Sequence, residues 1–228
     1  MTGELFAGLF IDDVAVEVAD LAAANEPALP EEEALVLRAV DKRVREVRAS
    51  RHAVRRALAR LGLAPAAIVH DAGRAPVWPA GVVGSISHTR DLCAVAVARR
   101  GHVASVGLDV ERVEALSDAL VERICTPAEI ARLSRQGDVS RLAKIVFSAK
   151  EAFYKAQHPL TGRFLGFQDV ELELELDDGR FVVCLSVDTP PFASGHRVEG
   201  AVRTTATHVA TAVTYFEPPA ARRGTVAR

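Results

Sequence analysis

Phe147-Ser148-Ala149-Lys150-Glu151-Ala152-Phe153-Tyr154-Lys155 is the stretch around which the rest of the chain can be read. Of the 28 lysines and arginines only four are lysine, and three of those (Lys144, Lys150 and Lys155) lie in or just before it. Ammonium and guanidinium are not interchangeable where a compact point charge is needed, so this concentration points to chemistry. The spacing predicts a helix from Ser140 to Gln157, stopped by Pro159. Leu142, Ile145, Val146, Ala149, Phe153 and Ala156 make its core-facing stripe. Glu151 and Lys155 stand i,i+4 on another flank, with Phe147 one turn before Glu151. Alone, such a pair is a surface ion pair worth a few tenths of a kcal/mol. The rest of the chain decides whether it is more.

At 228 residues and 49% apolar, the chain can bury one substantial core or two modest ones. A formal net charge of −2 argues against a polyelectrolyte binder. Cys93, Cys125 and Cys184 are isolated, with no CxxC or Cys/His spacing. That argues against a disulfide framework or structural zinc and for a reducing compartment. Cys93 and Cys184 read as small core residues in strands. The start, Met1-Thr2-Gly3-Glu4, has no signal-peptide pattern, its apolar residues are soon interrupted by Asp12 and Asp13, and no apolar run reaches membrane-span length. The expectation is a cytoplasmic protein.

Residues 5 to 20 alternate weakly, as an early strand, and 22 to 30 read as loop. Helical periodicity then runs from Glu31 to Leu61, with Glu31–Glu33 suited to a helix N-terminus and room for a break near Ala49-Ser50. Its arginines are too many for an i,i+4 ladder. They make either a solvated basic face or a phosphate site, with Arg43 and Arg51 about two turns apart on one side. The loop Gly73-Arg74-Ala75-Pro76-Val77-Trp78-Pro79-Ala80-Gly81 is stiffened by prolines. Trp78 either plugs the core or walls a flat ligand that Arg74 reaches.

Three strand-like runs follow, at 82–88, 92–98 and 103–110. The first ends Gly84-Ser85-Ile86-Ser87-His88, where hydroxyls and an imidazole at one strand edge suit contacts to an anion. The third ends Gly107-Leu108-Asp109-Val110-Glu111, and alternation puts Asp109 and Glu111 on one face. Like charges so placed repel, and a cation relieves them. Oxygen ligands without nearby His or Cys point to Mg²⁺ rather than zinc. Further on come helical residues 127–134, the lysine-bearing helix, and a hairpin of 170–176 and 181–187 around Asp177-Asp178-Gly179. Alternating runs at 197–204 and 208–216 finish the fold. The expected class is α+β: two similar lobes (a pseudo-dimer) of residues 1–105 and 106–217, each a helix plus a three- to four-stranded antiparallel sheet. Residues 218–228 read as a frayed tail, and the site falls at the lobe junction.

Taken in order, the arginine helix 42–56, Gly73–Pro79, Gly84–His88, Gly107–Glu111 and Phe147–Lys155 resemble the signatures of the 4′-phosphopantetheinyl transferases, in their larger two-lobed type. Pro159-Leu160-Thr161-Gly162-Arg163-Phe164-Leu165-Gly166-Phe167 is similar to the enterobactin-type and actinobacterial members. Many members carry tryptophan where this chain has Phe147. The resemblance implies a monomer that moves phosphopantetheine from coenzyme A to a serine of an apo acyl or peptidyl carrier protein. It also implies service to siderophore, polyketide or non-ribosomal peptide synthesis. The 3′-phosphate would meet Arg43, Arg51 and His88, beside Ser87, with Arg74 at the adenine. Asp109, Glu111 and Glu151 would hold Mg²⁺. Glu151 would act as base or ligand, Lys155 would serve the departing 3′,5′-ADP, and Lys150 would neutralise the pyrophosphate. Two rivals stand beside this: a Mg²⁺-dependent hydrolase of coenzyme A or a related nucleotide pyrophosphate, and an RNA-binding module. The near-neutral charge and few aromatics oppose the second, so no nucleic-acid partner is expected.

Overall fold

Strand β3 (Leu92–Arg99) is buried on both faces, and its sequence explains how. Ala94, Ala96 and Ala98 enter one core while Cys93, Val95 and Val97 enter another, the period of two that a strand imposes. The architecture is that of a computed structural model in which residues 2–217 are described. The remaining elements are α1 (Thr2–Phe6), β1 (Val14–Asp20), α2 (Pro30–Glu33), α3 (Asp41–Arg60), β2 (Val82–His88), β4 (Val103–Arg112), α4 (Asp118–Ile124), α5 (Pro127–Gln136), α6 (Val139–Thr161), β5 (Val170–Glu175), β6 (Arg180–Leu185), β7 (Arg197–Thr204) and β8 (His208–Phe216).

Two antiparallel sheets result, in the orders β1-β3-β2 and β4-β8-β7-β6-β5. Helix α3 covers the first through Ala49, Ala53, Val54, Ala57 and Leu58. Helix α6 covers the second through Val146, Ala149, Ala152, Phe153 and Ala156. The α+β class with two sheets is as expected. The second sheet has five strands because β4 pairs along its length with β8. The expected division between residues 105 and 106 falls inside β4, and residues 218–228 lie outside the described residues.

Between β2 and β4 two serine hydroxyls stand in for a backbone ladder. Ser85 Oγ accepts from Leu108 N at 3.0 Å and Ser87 Oγ accepts from Val110 N at 3.2 Å. At this seam α6 lies directly on β4: a Cβ at Gly107 would overlap the Ala152 carbonyl oxygen.

Three local readings are corrected. The helix expected from Glu31 to Leu61 is two pieces, parted by the segment between Val36 and Asp41 rather than near Ala49-Ser50. The parting lets Glu32, wholly buried, turn back to accept from Arg55 and from Ile68 N. Helix α6 passes through Pro159 and ends at Gly162, whose φ of 64° glycine adopts without penalty. Burial of its long apolar stripe outweighs the roughly 3 kcal/mol a proline costs a helix. Helix α1 and helix α4 were not foreseen, being too short to show a period.

Candidate active site

A cleft of about 580 Å³ opens where α3, the loop 70–78, β2 and α6 meet. Arg43, Arg51, Arg74, His88 and Lys155, singled out on separate motifs, all line it. Arg74 reaches it from a tight reversal: Arg74 N donates to Asp71 O, Asp71 N to Ala75 O, and Arg74 itself takes φ 66°. Positive φ in a residue with a Cβ is a strained setting that marks functional loops. Trp78 packs on the α3 core and also lines the cleft. It needs Gly84 beneath it, since a Cβ there would come within 2.6 Å of the indole.

The cationic wall is held by specific partners. Arg51 is 2% exposed; its Nε donates to Ile68 O at 2.8 Å and its Nη2 faces His70 Nε2 at 3.0 Å. Burial lowers the Arg51 pKa, against the nearby Glu32 carboxylate. Arg43 and His88 share the Glu46 carboxylate at 3.3 and 3.6 Å. Burial pushes the His88 pKa down, and Glu46 acts against it. His70 is likewise pushed down, by burial and then by Arg51. Cations therefore outnumber carboxylates here, which suits a multiply charged anion such as a phosphate.

Beyond Lys155 lie the carboxylates. Lys155 does not pair with Glu151 across its helix turn; its Nζ donates to Asp109 Oδ1 at 2.7 Å and to Leu108 O at 3.2 Å. Asp109 and Glu111 share the α6 face of β4, as alternation required. Glu111 pairs with Lys144 at 3.2 Å. Burial and then Asp109 raise the Glu111 pKa. Burial also raises that of Glu151, where Lys155 opposes the rise and Asp109 and Glu111 add to it.

No three His, Cys, Asp or Glu side chains among the described residues are gathered into a ready-made metal cage. The donors nonetheless fit Mg²⁺. They are all oxygen, they repel one another, and Asp109 Oδ2 is buried without a hydrogen-bond partner. A hard cation that keeps several of its waters needs only a few such oxygens.

Two assignments are corrected. Lys150 is 2% exposed and faces away from the cleft. Its Nζ donates to Glu129 Oε2 at 2.8 Å and to the carbonyls of Phe167, Ile124 and Val170 at 2.7, 2.9 and 3.1 Å. It has no donor left for a pyrophosphate. Ser87 alternates with His88 and so points to the opposite face of β2, its proton donated to Asp109 Oδ1 at 2.8 Å. Sequence reasoning missed Glu46, His70, Tyr154 and His158, which also line the cleft. Tyr154 and His158 follow Glu151 by three and seven residues and were legible from helix spacing. His70 sits in a loop and carried no signal.

Two family profiles match the chain: the 4′-phosphopantetheinyl transferase N-terminal domain over residues 31–98 and the 4′-phosphopantetheinyl transferase superfamily over residues 105–212. The chain is 41% identical over 165 residues to 4′-phosphopantetheinyl transferase PptT of Mycobacterium tuberculosis, covering 70% of this chain and 73% of that one. It is 40% identical over 152 residues to Npt of Nocardia iowensis, covering 67% and 68%. Against Svp of Streptomyces mobaraensis it is 40% identical over 174 residues, covering 75% and 70%. The cleft, the order of its motifs and these matches agree: the chain belongs to the 4′-phosphopantetheinyl transferase superfamily.

Proposed function

We propose that the protein transfers 4′-phosphopantetheine from coenzyme A to a serine of an apo acyl or peptidyl carrier protein, releasing 3′,5′-ADP with Mg²⁺ as cofactor. The observation that carries this is the meeting, on one cleft, of Arg43, Arg51, Arg74, His88 and Lys155 with carboxylates beyond its Lys155 end. The 3′-phosphate would sit among Arg43, Arg51 and His88, taking the place of Glu46 as the partner of Arg43 and His88. Arg74 and Trp78 would border the adenine.

Asp109, Glu111 and Glu151 would hold Mg²⁺, whose charge neutralises the pyrophosphate when it is bound. Glu151 is the candidate base. A carboxylate whose pKa is raised takes up the serine proton better than an ordinary one. The serine oxygen bonds to the phosphorus bearing pantetheine, and the bond from that phosphorus to the oxygen of 3′,5′-ADP breaks. Lys155, held at the cleft by Asp109, donates to the phosphate that leaves. Such transfers depend on alignment and charge neutralisation more than on covalent help.

The cleft is lined from both lobes of one chain, which supports a monomer, working in the cytoplasm beside the synthases it serves. Those make siderophores, polyketides or non-ribosomal peptides. The test is intact-mass spectrometry of apo carrier proteins incubated with the protein, coenzyme A and Mg²⁺, beside an EDTA control. A gain of one phosphopantetheine, lost with EDTA, is the expected result. Cleavage of coenzyme A with no carrier modified overturns it in favour of a hydrolase.

A further inference from the structure

Asp109 is held in an asymmetric way. Its side chain is 5% exposed, and both donors that reach it go to one oxygen: Ser87 Oγ at 2.8 Å and Lys155 Nζ at 2.7 Å, each to Oδ1. Oδ2 is buried with no partner. The two donors differ in kind. Lys155 lies on α6, in the cleft, on a long flexible stem, and its ammonium pairs with either oxygen of a carboxylate that turns. Ser87 lies on β2, in the other sheet, 6% exposed, and its hydroxyl is fixed by accepting from Val110 N at 3.2 Å. That amide sits on the backbone next to Asp109. With that amide as its donor, the hydroxyl gives its own proton to Oδ1.

From this geometry we infer that Ser87 is a positioning residue. Its hydrogen bond fixes the rotation of the Asp109 carboxylate so that Oδ2 is kept free to ligate a divalent cation. The inference rests on the proposed role of Asp109. Without the hydroxyl, Lys155 alone restrains the carboxylate, which then turns to let the ammonium bridge both oxygens and takes Oδ2 from the metal. Partners of ligating carboxylates have this effect generally, and their loss lowers metal affinity by about 10- to 100-fold. Ser85 is the internal control. It stitches β2 to β4 in the same manner, through Leu108 N and O at 3.0 and 3.4 Å, and donates to no carboxylate.

The experiment measures Mn²⁺ binding by electron paramagnetic resonance, with coenzyme A present, for the wild type and for Ser87→Ala, Ser87→Cys, Ser87→Thr and Ser85→Ala. The Mg²⁺ concentration for half-maximal transfer is read in parallel, and thermal melts identify the variants that fold. The expected result is a 10-fold or greater weakening of Mn²⁺ binding, with an equal rise in the Mg²⁺ requirement, in Ser87→Ala and Ser87→Cys. Ser87→Thr, which keeps the hydroxyl, returns toward wild type, and Ser85→Ala keeps the wild-type metal dependence. Cysteine holds the serine's volume with only a weak donor, so it stands in if the alanine variant does not fold.

Wild-type Mn²⁺ affinity in the folded Ser87 variants overturns the inference, as does an equal loss in Ser85→Ala, which would trace the effect to the seam. A wild type that binds Mn²⁺ but modifies no carrier overturns the transferase reading and leaves the role of Ser87 standing.

Discussion

At the scale of single residues, the site is a place where folding and chemistry pull apart. Burial and mutual repulsion hold the carboxyls of Glu111 and Glu151 above their ordinary value, so the folded chain binds their protons more tightly than the unfolded one. Their contribution to stability is present below the unfolded value and is lost as pH rises through the folded ones. Glu151→Gln removes that loss. Calorimetry from pH 4 to pH 8 without Mg²⁺ should show the variant melting above wild type at the alkaline end, with the difference closing toward pH 4. Mass spectrometry should show no carrier modified by the same protein. Tyr215 presents the same tension without a reaction attached. Its hydroxyl is buried and unpartnered while its ring stacks on Phe192 at 5.2 Å. Tyr215→Phe keeps the stacking and removes the orphan, so urea unfolding should show a gain of about 1 kcal/mol.

Between elements, the contacts that matter are those that set α6 against its neighbours. Lys150 and Glu129, both buried, join α6 to α5. Glu129 also accepts from Thr126 N at the α5 cap and from Leu172 N on β5, at 2.6 Å each. Lys150→Met leaves Glu129 charged and short of a partner, so a loss of about 3–5 kcal/mol is expected in denaturant unfolding. Gly107→Ala drives a methyl into the α6 backbone, and overpacking of this kind costs about 1–3 kcal/mol or more. Transfer should fall with it, because α6 carries Glu151 and Lys155.

What was legible here followed period and what was missed followed partnership. Strands β2, β3 and β8 and the β5–β6 hairpin announced themselves by alternation and by Asp177-Asp178-Gly179. The burial of Lys150 did not, since a lysine beside a glutamate on a helix reads the same whether its acceptors are water or the carbonyls of Ile124, Phe167 and Val170. Nor did β4's pairing with β8, which lies about a hundred residues away along the chain. The sequence singles out Ser87 but groups it with His88, whereas neighbours on a strand alternate and stand on opposite faces.

Over the whole molecule, the cleft draws Arg43, Arg51, Arg74 and His88 from one side of the seam and Lys155 from the other. A ligand bound there bridges two sheets that share no ladder. Coenzyme A at about 100 times its dissociation constant should therefore stabilise the chain by about 2.7 kcal/mol, read as a concentration-dependent rise in melting temperature. The chain itself passes from the first sheet to the second once, through the exposed turn after Arg99. Every strand of the first sheet precedes that turn and every strand of the second follows it. Severed at Gly101, the polypeptide would become two fragments, each with its own sheet and covering helix and each with a bare apolar face made for the other. Mixed, they would behave as a heterodimer whose active form appears with second-order kinetics and whose two halves coenzyme A would help to hold together.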